Sequence, residues 1–113
     1  MTRHDPRIRL RHMLDHAREA CQSILGGCRA DLDRDRMLQL ALTRLVEVVG
    51  EAASRVSETD RAIYPSIPWA KIVGMRQHLV HGYDIVDLDV LWDTITDDLP
   101  PLIAELERIL GKE

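Results

Sequence analysis

Two stretches of this chain place apolar residues at alternating steps of four and three: Leu10, Leu14, Ala17, Cys21, Ile24 and Cys28, then Leu38, Leu42, Leu45, Val49, Ala52 and Val56. On a helix with 3.6 residues per turn this spacing draws one stripe along one face, whereas a strand, with its period of two, cannot use it. Met37, Ala41 and Val48 widen the second stripe, so that helix is expected to meet neighbours on two sides, and Gly50, Ala52 and Ala53 would let a backbone approach closely. Gly26-Gly27 is expected to end or fray the first helix. Residues 57–67 break the pattern around Pro65, and Pro68 suits the first turn of a third helix running from about 68 to 82, with Gly82 near its end. A fourth helical stretch begins near Asp87, with Leu88, Leu91, Trp92, Ile95 and Leu99 on one side. Pro100-Pro101 kinks or restarts it, and Leu102, Ile103, Leu106, Ile109 and Leu110 carry it towards the C-terminus. The expected architecture is an all-α, antiparallel four- to five-helix bundle forming one domain over residues 1–113.

The 113 residues allow one real core and not two, and 45% hydrophobic with 30% charged residues is an ordinary globular balance. The chain holds no run of 18 apolar residues that would cross a membrane. Its start, Met1 to Pro6, lacks the apolar segment of a signal peptide, so a cytoplasmic location is expected. Cys21 and Cys28 are seven apart and would share a helix face as reduced, core-facing thiols; their spacing matches no metal or redox motif. A net charge of −4 argues against a general nucleic-acid coat protein. Charge is unevenly spread: eight arginines lie in residues 1–36, and six aspartates and no base in residues 84–98. The aspartates read as an acidic face or a docking surface for a basic partner rather than a cation site.

The chemistry concentrates in 74–89, where Arg76, His78, His81 and Tyr83 fall between apolar positions. An arginine followed five residues later by a histidine is a weak pattern alone, because Arg7/His12 and Arg11/His16 repeat it. His12 and His16 also have a chelating spacing, but their charged surroundings read as a solvated face. At 100° per residue, Ile72, Arg76, Leu79 and Tyr83 fall within about 60° of arc, so Arg76 and Tyr83 are expected on the apolar side. An arginine there needs a counter-charge, an interface or a ligand. On a regular helix His81 projects about 140° from Arg76, so the two converge poorly within one chain unless Gly82 unwinds the turn or a second subunit completes the site.

The segment Ile67-Pro-Trp-Ala-Lys-Ile-Val-Gly-Met-Arg-Gln-His-Leu-Val-His-Gly-Tyr, followed by Val86-Asp-Leu-Asp-Val-Leu-Trp and Asp98-Leu-Pro-Pro-Leu, resembles the HepT family of small HEPN-domain proteins. Val49-Gly-Glu-Ala-Ala matches that family's second helix, and residues 1–36 fit as its first. The resemblance implies the toxin of a toxin–antitoxin module: a metal-independent endoribonuclease, without a cofactor, whose Arg-x4-His motifs meet across a homodimer interface or in a higher oligomer. It makes Arg76 and His81 the catalytic pair and RNA the substrate. It also implies a partner, a minimal nucleotidyltransferase antitoxin of the MntA type, which neutralises the toxin by transferring AMP onto the motif tyrosine, here Tyr83. Gln77 stands where the family usually has a smaller polar residue, keeping the amide as a motif-supporting group, and Asp84 stands where an aromatic residue is common.

The chemistry is coherent by itself. Cleaving RNA without a metal needs the 2′-OH to attack its own phosphate, with proton transfer near neutrality and a fixed cation on the developing charge. Histidine and arginine supply these. The alternative reading is a non-catalytic helical subunit that binds a nucleotidyltransferase or its substrate, with Arg76 and His81 structural.

Overall fold

The computed structural model describes residues 5–79 and 85–111. Within them the chain is helical: α1 (Pro6–Ser23), α2 (Arg29–Arg34), α3 (Arg36–Ser54), α4 (Glu58–Arg61), α5 (Trp69–Leu79), α6 (Leu88–Asp93), a π-helical turn (Thr94–Asp98) and α7 (Leu99–Leu110). The all-α expectation holds. Helix α1 packs between α3 and α7, and α3 is flanked on its other side by α5. The stripes supply most of the core: Leu10, Leu14 and Ala17 from α1, Leu42 and Val49 from α3, and Leu102, Leu106 and Leu110 from α7 are all buried. Val46, outside the expected α3 stripe, is buried, while Leu38 and Leu45 within it are only partly so.

The helix starts follow from short acidic side chains. Asp5 caps α1, accepting from the Arg7 N–H at 2.9 Å, and Pro6 fills the first position, where no N–H is needed. Asp35 accepts from the Leu38 N–H at 2.9 Å to open α3, and Asp87 from the Val90 N–H at 3.1 Å to open α6. Two of the aspartates in the acidic stretch tie elements together: Asp89 pairs with Arg29 at 2.8 Å and Asp98 with Lys71 of α5 at 3.0 Å.

Three expectations need correcting. The first stripe stops at Ser23, because the chain turns through Gly26 at φ +81°, and Cys28 becomes the exposed N-cap of α2 instead of a core thiol. Its N–H donates to Asp31 Oδ2 at 2.7 Å, which with Arg34 holds the Asp31 carboxyl below the usual carboxylate range. Cys21 is the half-buried thiol, pushed up by burial, with its Sγ donating to the Ile95 carbonyl at 3.6 Å. Second, α3 does meet two neighbours, but Met37 and Ala41 are not what meets them: Met37 is 73% exposed and Ala41 is also at the surface. Third, residues 57–67 contain a helical turn, α4, capped by Ser57.

Pro100-Pro101 neither breaks nor cleanly restarts the last helix. Proline cannot donate the i→i−4 bond, and the turn just before it widens to the π form, which takes one more residue per turn. The wider turn keeps Leu91, Ile95 and Leu99 buried at steps of four. Thr94 and Thr96 hydroxyls donate back to the Val90 and Trp92 carbonyls at 2.7 and 2.9 Å.

Helices α3 and α5 approach main chain to main chain at Gly50. Gly50 is buried, and a Cβ built there would lie 3.2 Å from the Ile72 carbonyl oxygen and 3.6 Å from that of Val73. Both are main-chain atoms of a helix and cannot rotate away. Gly50→Val is therefore expected to destabilise the protein by about 1–3 kcal/mol through overpacking, read from urea unfolding; a variant as stable as the parent would show that α5 is free to move outward.

Candidate active site

Helix α5 is anchored at its start by Trp69, whose indole N–H donates to the Tyr64 carbonyl at 3.1 Å while the Arg61 guanidinium lies 5.6 Å from the ring centre. Ile72, Met75 and Leu79 face the core. Arg76, Gln77 and His78 are exposed. This corrects the expectation that Arg76 points with the apolar residues: Ile72, Met75 and Leu79 are buried, and Arg76 lies on the solvent side, where its charge stays hydrated. His81 and Tyr83, the expected partners of Arg76, and the expected end of the third helix at 82 lie outside the described residues. The Asp87 N–H donates to the Leu79 carbonyl at 2.6 Å, tying the residue before α6 to the end of α5.

The counter-charge that Arg76 needs is Glu51 of α3. Arg76 Nη1 lies 3.2 Å from Glu51 Oε2, with the two side chains 53% and 40% exposed. The other carboxylate oxygen, Oε1, accepts from Arg55 Nε at 3.2 Å and Nη2 at 3.0 Å. Two arginines from two helices thus share one carboxylate, and the group carries one net positive charge. An exposed pair of this kind contributes about 0–1 kcal/mol, so it is no structural necessity. Guanidinium has five N–H donors, and among the described residues only Nη1 of Arg76 is engaged, which leaves donors for an anion such as phosphate.

The other two matches to the bare pattern are occupied differently. Arg7 Nη2 donates to the Leu110 carbonyl at 3.1 Å, fastening the end of α7, and Arg11 lies 4.0 Å from Asp15. His16 Nδ1–H donates to the His12 carbonyl at 2.7 Å within α1. Among the described residues no three His, Cys, Asp or Glu side chains are arranged to hold a metal ion, and no helix is long and apolar enough to cross a membrane.

Two cavities flank this region, and Arg76 lines neither. One of about 470 Å³ lies between α3 and residues 85–88, bordered by Arg36, Leu40, Arg44, Glu47, Ile85 and Val86. The other, of about 400 Å³, lies between α5 and α6 with its π turn and is bordered by Lys71, His78, Asp93 and Asp97. Reading the residues alone missed Glu51 as a site residue. The Glu51/Arg55 spacing of four was readable as a helix pair, but its link to Arg76, 25 residues away, was not.

Residues 13–109 match the family described as "Ribonuclease HepT-like". The chain is 32% identical over 108 residues to "Putative RNase TTE0752" of Caldanaerobacter subterraneus subsp. tengcongensis, covering 96% of each chain. It is 35% identical over 82 residues to "Probable ribonuclease HepT" of Thermococcus cleftensis, covering 73% of this chain and 74% of that one. It is 27% identical over 109 residues to "Putative RNase MJ1380" of Methanocaldococcus jannaschii, covering 96% of this chain and all of that one. No solved structure matches the chain.

Proposed function

Because the chain belongs to the ribonuclease HepT-like family, we propose that it is a metal-independent endoribonuclease, the toxin of a toxin–antitoxin pair, with a composite site built from Arg76 and His81 of two subunits. The observation that carries the reading is Arg76: it stands at the surface, held at one nitrogen by Glu51, with donors left for a phosphate. His81 transfers the proton. Gln77, next along the exposed side of α5, supports the motif with its amide.

The dimer rests on two arguments. Arg76 and His81 diverge on a regular helix, and the α3 side of the molecule leaves apolar surface uncovered: Met37, Leu40 and Ile85 are 73%, 48% and 59% exposed. Apolar side chains grouped in this way mark a surface that a partner covers. A nucleotidyltransferase antitoxin of the MntA type neutralises the enzyme by AMP transfer to Tyr83, placing a bulky anion beside Arg76.

The purified chain is expected to cleave RNA in the presence of EDTA and to leave 2′,3′-cyclic phosphate ends. It should scatter light as a dimer or larger at micromolar concentration. Cleavage lost in EDTA and restored by magnesium would overturn the chemistry, and a fully active monomer would overturn the shared site.

A further inference from the structure

We infer that Glu51 is a positioning residue for Arg76, and that Arg55 sets Glu51 in turn. The inference rests on the proposed role of Arg76 and adds a second helix to the site. A carboxylate beside the cation that receives RNA phosphate works against binding a polyanion, and an exposed pair adds little stability, so neither affinity nor folding accounts for its place. Geometry does. Arg76 sits near the end of α5 on a long side chain that water would otherwise leave in many rotamers, and Glu51 Oε2 holds its Nη1 at 3.2 Å. Arg55 binds the other oxygen of Glu51 through two nitrogens, which fixes the carboxylate and offsets its charge. The α3–α5 backbone contact at Gly50, the residue before Glu51, sets the distance across which the pair forms. Phosphate then meets a guanidinium already oriented, with its remaining donors outward.

This arrangement makes a distinctive kinetic demand. Glu51→Gln keeps the side-chain length and removes the charge, so it should lower kcat about tenfold, while KM stays level or falls because a negative charge has left the site. Arg55→Gln should move kcat in the same direction by less. Glu47→Gln, one turn earlier on α3, should change neither. A second readout is independent of cleavage: the side-chain Nε–Hε NMR signal of Arg76 in the full-length protein, assigned by its loss in Arg76→Lys, should shift and broaden in Glu51→Gln and stay in place in Glu47→Gln. If Arg76→Ala abolishes cleavage but Glu51→Gln retains the parental kcat, the inference is overturned and the functional reading stands. If the chain cleaves no RNA at all, the functional reading fails, and the NMR signal decides the inference: a shift supports the positioning contact, and an unmoved signal overturns it.

Discussion

Arg76→Ala is expected to lower RNA cleavage by about 10²-fold or more, the scale seen when one preorganised charge donor is taken from a site where charge develops. The fold should survive, because Arg76 is exposed and its ion pair with Glu51 lies at the surface. Removing it leaves Glu51 with Arg55 as a partner, so no buried charge is stranded. Circular dichroism and the unfolding midpoint should therefore match the parent while the cleavage rate collapses. His81→Ala should have a loss of similar size if it transfers a proton. The control is His16→Ala, which belongs to a second match to the same spacing but donates to a carbonyl within its own helix, and should leave cleavage nearly unchanged. Variants of Arg76 and His81 that cleave at parental rates would remove these two residues from the site, and a purified chain that cleaves no RNA would leave the alternative, a non-catalytic subunit, as the better account.

Tyr83→Phe is expected to abolish modification by a nucleotidyltransferase partner. The tyrosine hydroxyl is the acceptor in the AMP transfer proposed above, and phenylalanine has the same ring without it. Provided Tyr83→Phe still cleaves RNA, it should also escape neutralisation when both proteins are expressed together. Tyr64 offers the same chemistry, but its carbonyl is already part of the anchor for Trp69 and its ring is packed against the core, so it should not substitute. Intact mass after co-expression, followed by fragmentation, locates the added AMP. A label on any residue other than Tyr83, or a Tyr83→Phe variant that is still modified and silenced, would overturn this account of regulation while leaving the ribonuclease reading untouched.

How much of this was legible in the amino-acid order varies with the length of each element. Helices α1 and α3 run for 18 and 19 residues, enough turns for the four-three stripe to stand out. Helix α2 has six residues and buries one, Leu32, and no periodicity can be read from one point. The same shortage of signal let the first stripe be extended through Ile24 to Cys28, although Gly26 had already turned the chain. The π turn was not legible because its cause, the missing N–H groups of Pro100 and Pro101, lies in the following turn, and its only trace is a run of core positions spaced by four. At the site, the need of Arg76 for a counter-charge was readable, but the identity of that charge was not. Helical arithmetic gives directions on one helix, whereas the Arg76–Glu51 pair depends on how two helices are set against each other. His81 and Tyr83 stay where reading of the residues put them, as proposals from the family resemblance.

The contact at Gly50 bears on how such a site tolerates change elsewhere in the molecule. Spacing between helices usually depends on the side chains between them, so repacking a core by one methylene shifts whatever the helices carry on their surfaces. Here the spacing next to Glu51 is main chain against main chain, with the Ile72 carbonyl as the stop. It behaves as a gauge block rather than a cushion. Core substitutions between α1, α3 and α7 are therefore expected to alter stability more than the distance between Glu51 and Arg76. The price of that insulation is sensitivity at one position: a side chain larger than a methyl at residue 50 turns the stop into a wedge.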